Sequence, residues 1–392
     1  MCYPEFHYRW EWTIQAAPEP LWLLVADTNR FNRDTGLPAV ERLTSGATGL
    51  ANARQRLRLH RFGVPVEWEE EPFEWVRPVR FGVVRRYSAG PVATMRILAE
   101  LELQPNGGTR LVYRVWARPR TALGVVAIPA QIGLLSARRF DATFRRYGRS
   151  AAGAEPPPPA PVQAHLAPGG RARLARLQER LVAEGAAPDL VAHLVETIAH
   201  GDPLALARLR PYALADAWGV PRRAVLELCL LATRIGLLEL RWDVLCPLCR
   251  GAKESSRSLK DVQSRVHCGV CSIDFDVNFD RFVEVTFRPS PRVHPSEAGE
   301  FCVGGPQVTP HIVAQQLLPA GTARTLMPVL EEGRYRLRTL ALPGGQSIAV
   351  ARDGMPAATL RADPASWPNT EVRLVPQPVL CYENSTACEQ LF

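Results

Sequence analysis

Residues Phe6–Asn32 read "FHYRWEWTIQAAPEPLWLLVADTNRFN", and their reading decides the first half of the chain. From Phe6 to Ala16 aromatic or apolar residues alternate with polar ones, the pattern of a half-buried strand. Pro18 and Pro20 then suit the first turn of a helix, where a missing N–H costs nothing, and Leu21, Leu24 and Val25 make one apolar face. Alternation returns in "RQRLRLHRF", "VPVEWEEEPFEW", "VRFGVVRRYS", "TMRILAELELQ" and "TRLVYRVWA", with "PNGG" at Pro105–Gly108 as a hairpin turn. A last helix, roughly Ile128 to Tyr147, is expected to turn Ile132, Leu135, Phe140 and Phe144 inward. Its arginines 138, 139, 145, 146 and 149 then face outward.

Strand, helix, meander and long closing helix predict a START-like helix-grip domain over residues 1–150, a curved antiparallel sheet wrapped round a helix. Six of the nine tryptophans fall in it. The plainer expectation is that they fill a core. The sharper one is that Trp10, Trp12, Trp22, Trp68, Trp75 and Trp116, with Phe140 and Phe144, line a cavity for a small apolar or aromatic ligand, because such sites are mostly aromatic with few polar groups.

"AAGAEPPPPAPVQAHLAPGG", residues 151–170, has no packable face and reads as an extended proline-rich linker that separates the first domain from everything after it. Residues 171–240 are helical by spacing. "YALADAWGVPRRAVLELCLLATRIGLLELRW" offers a short helix, a turn at Gly219 and a second helix with a buried stripe of Val225, Leu228, Ala232 and Ile235. A strand follows, which makes the segment winged-helix-like. Arg222, Arg223 and Arg234 are its candidates for nucleic-acid contact, a thin set, so a docking or structural role is the stronger expectation.

Residues 241–290 carry "CPLCRGAKESSRSLKDVQSRVHCGVC", Cys246 to Cys271. Two Cys-x-x-Cys pairs of this kind are the spacing of a four-thiolate zinc ribbon. Cys246, Cys249, Cys268 and Cys271 would close the coordination shell, leaving no position for a reacting water, so one structural Zn2+ is expected rather than a catalytic one. His267 abuts the second pair but is expected beside the site, not in it. "DFDVNFD" mimics the opening of a calcium loop, yet Phe279 and Val285 stand where such a loop needs Gly and Glu. From about 291 to 392, short alternating runs between Gly, Pro and Asp turns predict an all-β sandwich, expected to be cut within its last strand. The whole is thus an α+β multidomain chain.

Bulk properties narrow the function. The 392 residues carry a net charge of +8, and residues 1–150, with 22 Arg against 14 Asp or Glu, account for all of it. That excess is too mild to imply nucleic acid by itself. The best apolar run, Thr121 to Ala137, is short and broken by Pro129 and Gln131, so no membrane span is expected. The start lacks a signal-peptide plan, and the nine cysteines show no disulfide framework; a cytoplasmic protein is expected. No Ser-His-Asp set, phosphate-cradling Gly loop or open metal site is visible, so no enzyme activity is expected of the chain as it stands.

Three phrases go further. "WTIQAAPEPLWLLVADTNRFNRDTGLP", "LRPYALADAWG...LLATRIGLLELRWDVLCPLCRG" and "CGVCSIDFDVNFDRFVEVTFRPSPRV...FCVGGPQVTPHIVAQQ" resemble the regulatory region found ahead of class III adenylate/guanylate cyclase domains in bacterial proteins. The resemblance implies a ligand-sensing or regulatory module of signal transduction, with a cyclase domain as partner in cis or in trans. The chain stops at Phe392, before any cyclase domain begins, and Asp27 is expected as a helix residue rather than a magnesium ligand. The alternative is a nucleic-acid-binding regulator using the winged helix and zinc ribbon together.

Overall fold

The computed structural model describes residues 3–43, 53–61, 63–153, 166–247, 250–268, 273–295, 300–363, 367–368 and 370–392. It is a mixed α+β chain with a large antiparallel sheet, and it divides into two compact units. One is residues 1–158 together with 300–392; the other is residues 159–299.

In the first unit the opening strand β1 (Phe6–Ile14) is followed by α1 (Pro18–Val25) and α2 (Thr28–Asp34). Asp27 caps α2, its side chain accepting from the Arg30 N–H at 2.9 Å, which satisfies one of the donors a helix start leaves open. The meander is β2 (Glu41–Arg42), β3 (Gln55–Arg61), β4 (Val64–Glu70), β5 (Glu74–Val76), β6 (Arg80–Ala89), β7 (Val92–Leu103) and β8 (Thr109–Pro119). Spatial order is β1-β8-β7-β6-β4-β3-β2, with β5 on the side of β6. Irregular register at Glu67/Trp68 and at Val92/Thr94 bends the strands, as bulges do, and lets the sheet curl.

Helix α3 (Ala122–Ile128) then leads through π-helical turns (Pro129–Ser136) into α4 (Ala137–Ala151). Pro129 lacks the N–H that a regular α-turn would need, and the backbone widens there. The wider turns change which residues face inward. Ile132, Phe140 and Phe144 are buried as expected, but Leu135 is exposed. Helix α4 lies across the concave face, where Trp12, Ile14, Phe81, Val83, Ala99, Leu101, Leu111, Tyr113 and Val115 of the sheet pack with Leu21, Trp22, Phe31, Phe140, Phe144 and Tyr147. Asp34 of α2 fixes it there, accepting from Tyr147 Oη at 2.8 Å and Arg146 Nη2 at 2.9 Å.

The second unit begins with α5 (Gly170–Ala183), α6 (Pro188–His200), α7 (Pro203–Leu206), α8 (Pro211–Trp218) and α9 (Arg222–Arg234). Gly219 ends α8 with φ of 67°, a left-handed position that favours glycine. Leu174, Leu177 and Leu181, then Val191, Leu194 and Ile198, then Val225, Leu228, Cys229 and Ala232 form one core, the three-and-four spacing of each helix aimed at a common centre. Strands β9 (Leu238–Leu245), β10 (Ala252–Ser256), β11 (Arg265–Cys268) and β12 (Ile273–Asp276), a short α10 (Phe279–Phe282) and β13 (Val283–Pro289) follow. They make an antiparallel sheet β10-β9-β13 and a β11–β12 pair.

The chain then returns to the first unit. Strand β14 (Ala314–Gln315) pairs with β5, and β15 (Leu317–Leu318) pairs with β20 (Gln390–Leu391). Strands β16 (Ala323–Leu326), β17 (Gly333–Leu337), β18 (Gln346–Ala362) and β19 (Val372–Asn384) form a sheet of order β16-β19-β18-β17. Its β18–β19 pair is parallel. Strand β5 serves two cores at once: Trp75 enters the core under α4, and Val76 enters that of the C-terminal sheet with Leu326, Ile348, Leu374 and Tyr382. Residues 300–392 thus belong to the same compact unit as residues 1–150, against the expectation that the first domain stands apart from everything after the linker, most of which (154–165) lies outside the described residues.

Candidate functional site

Strand alternation places Trp10 and Trp12 on the concave face, and α4 brings Phe140 and Phe144 down onto them. Ring centroids lie 5.4 Å apart for Trp10–Phe140 and 4.7 Å for Trp12–Phe144, with Phe31 stacked on Phe144 at 4.9 Å. Trp22 meets Phe81 edge-on at 5.8 Å. At this end the rings touch one another, so they build core as much as they line a surface. Trp116 is elsewhere: it takes the opposite face of β8 from Tyr113 and Val115, stacked on His7 at 4.8 Å with the Arg96 guanidinium 4.2 Å from its centroid. A one-residue offset on a strand has this effect.

Toward β3, β4 and β6 the same concave face turns polar. Glu70, only 2% exposed, accepts from Arg85 Nε at 2.8 Å through Oε2. Arg85 also lies 5.6 Å from the Trp68 ring centroid. Burial works against the Arg85 charge, but Glu70 beside it more than offsets this and its pKa is raised. Burial raises the phenols of Tyr87 and Tyr113. Two polar atoms here have no hydrogen-bond partner among the described residues: Trp68 Nε1, a donor, and Glu70 Oε1, an acceptor. Unpaired buried polar atoms are costly and call for an explanation.

Residues 300–312 cover this polar end. Asn29 Oδ1 accepts from the backbone N–H of Phe301 and Cys302 at 2.7 and 3.0 Å, and Asn32 Nδ2 donates to Phe301 O at 2.8 Å. Val303 packs with Leu57 and Trp68. Gly304 passes so close that a Cβ there would sit 3.0 Å from the Phe73 ring and 3.5 Å from Glu70 Oε1. Trp75 Nε1 donates to Ile312 O at 3.0 Å. The Cys302 thiol, with Thr28 Oγ1 at 3.1 Å, is pushed up to about 12 by burial and by Glu70. Of this group, sequence reading singled out Trp68 and Trp75. The signal for the others was the phrase "FCVGGP", whose paired glycines announce a close backbone approach.

In the second unit, Cys246 directly follows β9 and Cys268 ends β11. Both are fully buried and share one small cluster with Val244, Val266 and Phe275. Cys246 O accepts from Arg250 N at 2.9 Å, and Arg250 takes a φ of 55°, a left-handed turn just after the first Cys-x-x-Cys pair. Cys249 and Cys271 lie outside the described residues. Cys246 and Cys268, two of the four expected ligands, thus share one buried cluster, and among the described residues no group of three or more metal-ligating side chains gathers. His267 points to solvent, its Nδ1 2.9 Å from Asp274 Oδ1.

The three arginines offered for nucleic-acid contact all face carboxylates. Arg222 holds Asp216 through two bonds of 2.9 and 2.8 Å, Arg223 holds Glu227 at 2.8 Å, and Arg234 pairs with Glu184. Such pairs are weak individually, but they leave this helix with balanced rather than free positive charge. Among the described residues no helix is long and apolar enough to cross a membrane.

Residues 174–301 match a family described as a family of unknown function (DUF5939). No curated protein matches the chain. Among solved structures it is similar to the Zhui aromatase/cyclase of a Streptomyces species, at 18% identity over 39% of this chain and 100% of that chain, TM-score 0.30. A Thermus thermophilus protein matches at 17% identity over 38% and 99%, TM-score 0.28. A conserved protein of Geobacillus kaustophilus matches at 13% identity over 37% and 97%, TM-score 0.29.

Proposed function

We propose that the chain is a non-catalytic ligand-sensing module, in which residues 1–150 form a helix-grip domain that holds a small apolar or aromatic molecule against the concave sheet face. One observation carries this reading: the apolar face ends in Trp68 Nε1 and Glu70 Oε1, a buried donor and a buried acceptor without partners among the described residues. A ligand with an apolar body and one hydroxyl or carbonyl end would satisfy them while its body lies on Trp68, Tyr87 and Leu57. Residues 301–307 then close over it, so occupancy and the seating of the C-terminal segment are linked.

In this reading residues 171–240 are a winged-helix-like docking segment and residues 241–290 a zinc ribbon. Zn2+ bound by Cys246, Cys249, Cys268 and Cys271 would supply a cross-link between chain segments and no open coordination position. The resemblance to regions ahead of class III cyclase domains makes such a domain, in cis or in trans, the proposed recipient of the signal, in the cytoplasm.

The test is tryptophan-fluorescence titration of the full chain with a panel of hydroxylated aromatic probes, alongside native mass spectrometry of the purified protein. Saturable binding, weakened several-fold by Trp68→Phe, is expected, since that change removes the unpaired Nε1 donor and leaves the Glu70–Arg85 pair intact. Absence of binding across the panel, with no co-purified molecule, would sink the reading.

A further inference from the structure

Between Glu102 and Asp141 the chain has six arginines and no carboxylate. Within that stretch α3 and the π-helical turns bury Gly124, Ile128 and Ile132. The same turns leave Leu123, Val126, Leu134 and Leu135 exposed at 70, 71, 69 and 45%. Single exposed aliphatics are ordinary, but four large ones within thirteen residues of one helical segment are a concentration. Arginines bracket them. Arg118 and Arg120 precede α3, and Arg138 and Arg139 follow the π-helical turns. Arg61 is close enough to Arg139 that, after burial, the charge of Arg139 is what lowers its pKa.

We propose that this arginine-bracketed aliphatic segment docks on an anionic lipid surface. Leu123, Val126, Leu134 and Leu135 would enter the boundary between headgroups and acyl chains, and Arg118, Arg120 and Arg138 would meet lipid phosphates. The chemistry is that of an interfacial helix: apolar side chains outward and basic residues at the flanks, with Glu5, 3.8 Å from Arg118, the carboxylate paired with them and Arg120 donating to Ser88 O. An acidic groove on a protein would meet the arginines equally well, but the four exposed side chains are all aliphatic and offer no aromatic anchor, which such an interface ordinarily uses. The site is separate from the concave face and does not rest on the ligand reading.

The experiment is vesicle flotation of the full chain with phosphatidylcholine alone and with phosphatidylcholine containing phosphatidylglycerol, at low and high salt. Binding is expected only to the anionic vesicles, falling steeply with salt as exposed charges are screened. Leu123→Glu/Leu134→Glu should weaken it at least tenfold, and Arg138→Glu several-fold, with unchanged thermal melting because all three positions are exposed. Equal binding by wild type and the double variant overturns the proposal. So does the absence of vesicle binding together with a wild-type dimer that the double variant dissolves in analytical ultracentrifugation, which would assign the face to a second copy of the chain.

Discussion

Arg85 shows what a single buried charge requires of its neighbours. With Glu70 it forms a buried pair whose two charges are tolerable only together. Arg85→Met should therefore lower stability by about 3–5 kcal/mol in urea unfolding, whereas Arg85→Met combined with Glu70→Leu should recover most of it. The buried acids make a second prediction. Burial pushes Cys229 and Tyr382 up to about 12, and burial with Glu70 does the same for Cys302. Below the unfolded values both states are protonated. Between those values and 12 the unfolded chain loses protons that the folded chain keeps, so stability falls as pH rises through that window. Melting temperature should thus decline from about pH 9 toward pH 12, and the Cys302 thiol should resist alkylation in the native state. Sequence reading found Trp68 but passed over Glu70 and Arg85. "VPVEWEEEPFEW" resembles a wet edge, and the alternation that puts Glu70 beside Trp68 has meaning only once the strand's buried face is known.

At the scale of elements, much was legible, because strand and helix are written in periods of two and of three to four. The first strand, α1, the helices of 171–240 and the Gly219 turn all follow from spacing and stop residues. What spacing could not give was the π-helical widening after Pro129, which turns Leu135 outward while Ile132, twelve residues before Phe144, stays inside. It could not give strand direction either. The alternation in β18 and β19 is the same whether they run parallel or antiparallel, and they run parallel. The strands β9 and β11 raise the prediction that belongs here. Cys249→Ser should release zinc, read by metal analysis, and open residues 240–290 to protease, while residues 1–150 stay folded. Zinc loss without added cleavage would show that the metal does not hold these strands together.

For the whole molecule, composition marked where the chain leaves a domain, at the prolines of 151–170, but not that it comes back. The return is a matter of non-local pairing: Trp75 and Ile312, joined by a hydrogen bond, are 237 residues apart in sequence. A protease site engineered into 151–170 should accordingly give two fragments that co-elute on gel filtration, because residues 300–392 belong to the same compact unit as 1–158. Separate elution would refute that. The insertion also sets a timetable. A ribosome adding about 5–20 residues per second needs roughly 10–30 s to travel from the linker to the end of the covering segment. For that interval the nascent first domain has no Phe301–Ile312 to lay over Trp68, Phe73 and Glu70. A molecule destined for that face has its freest access during synthesis, before the segment that covers it exists.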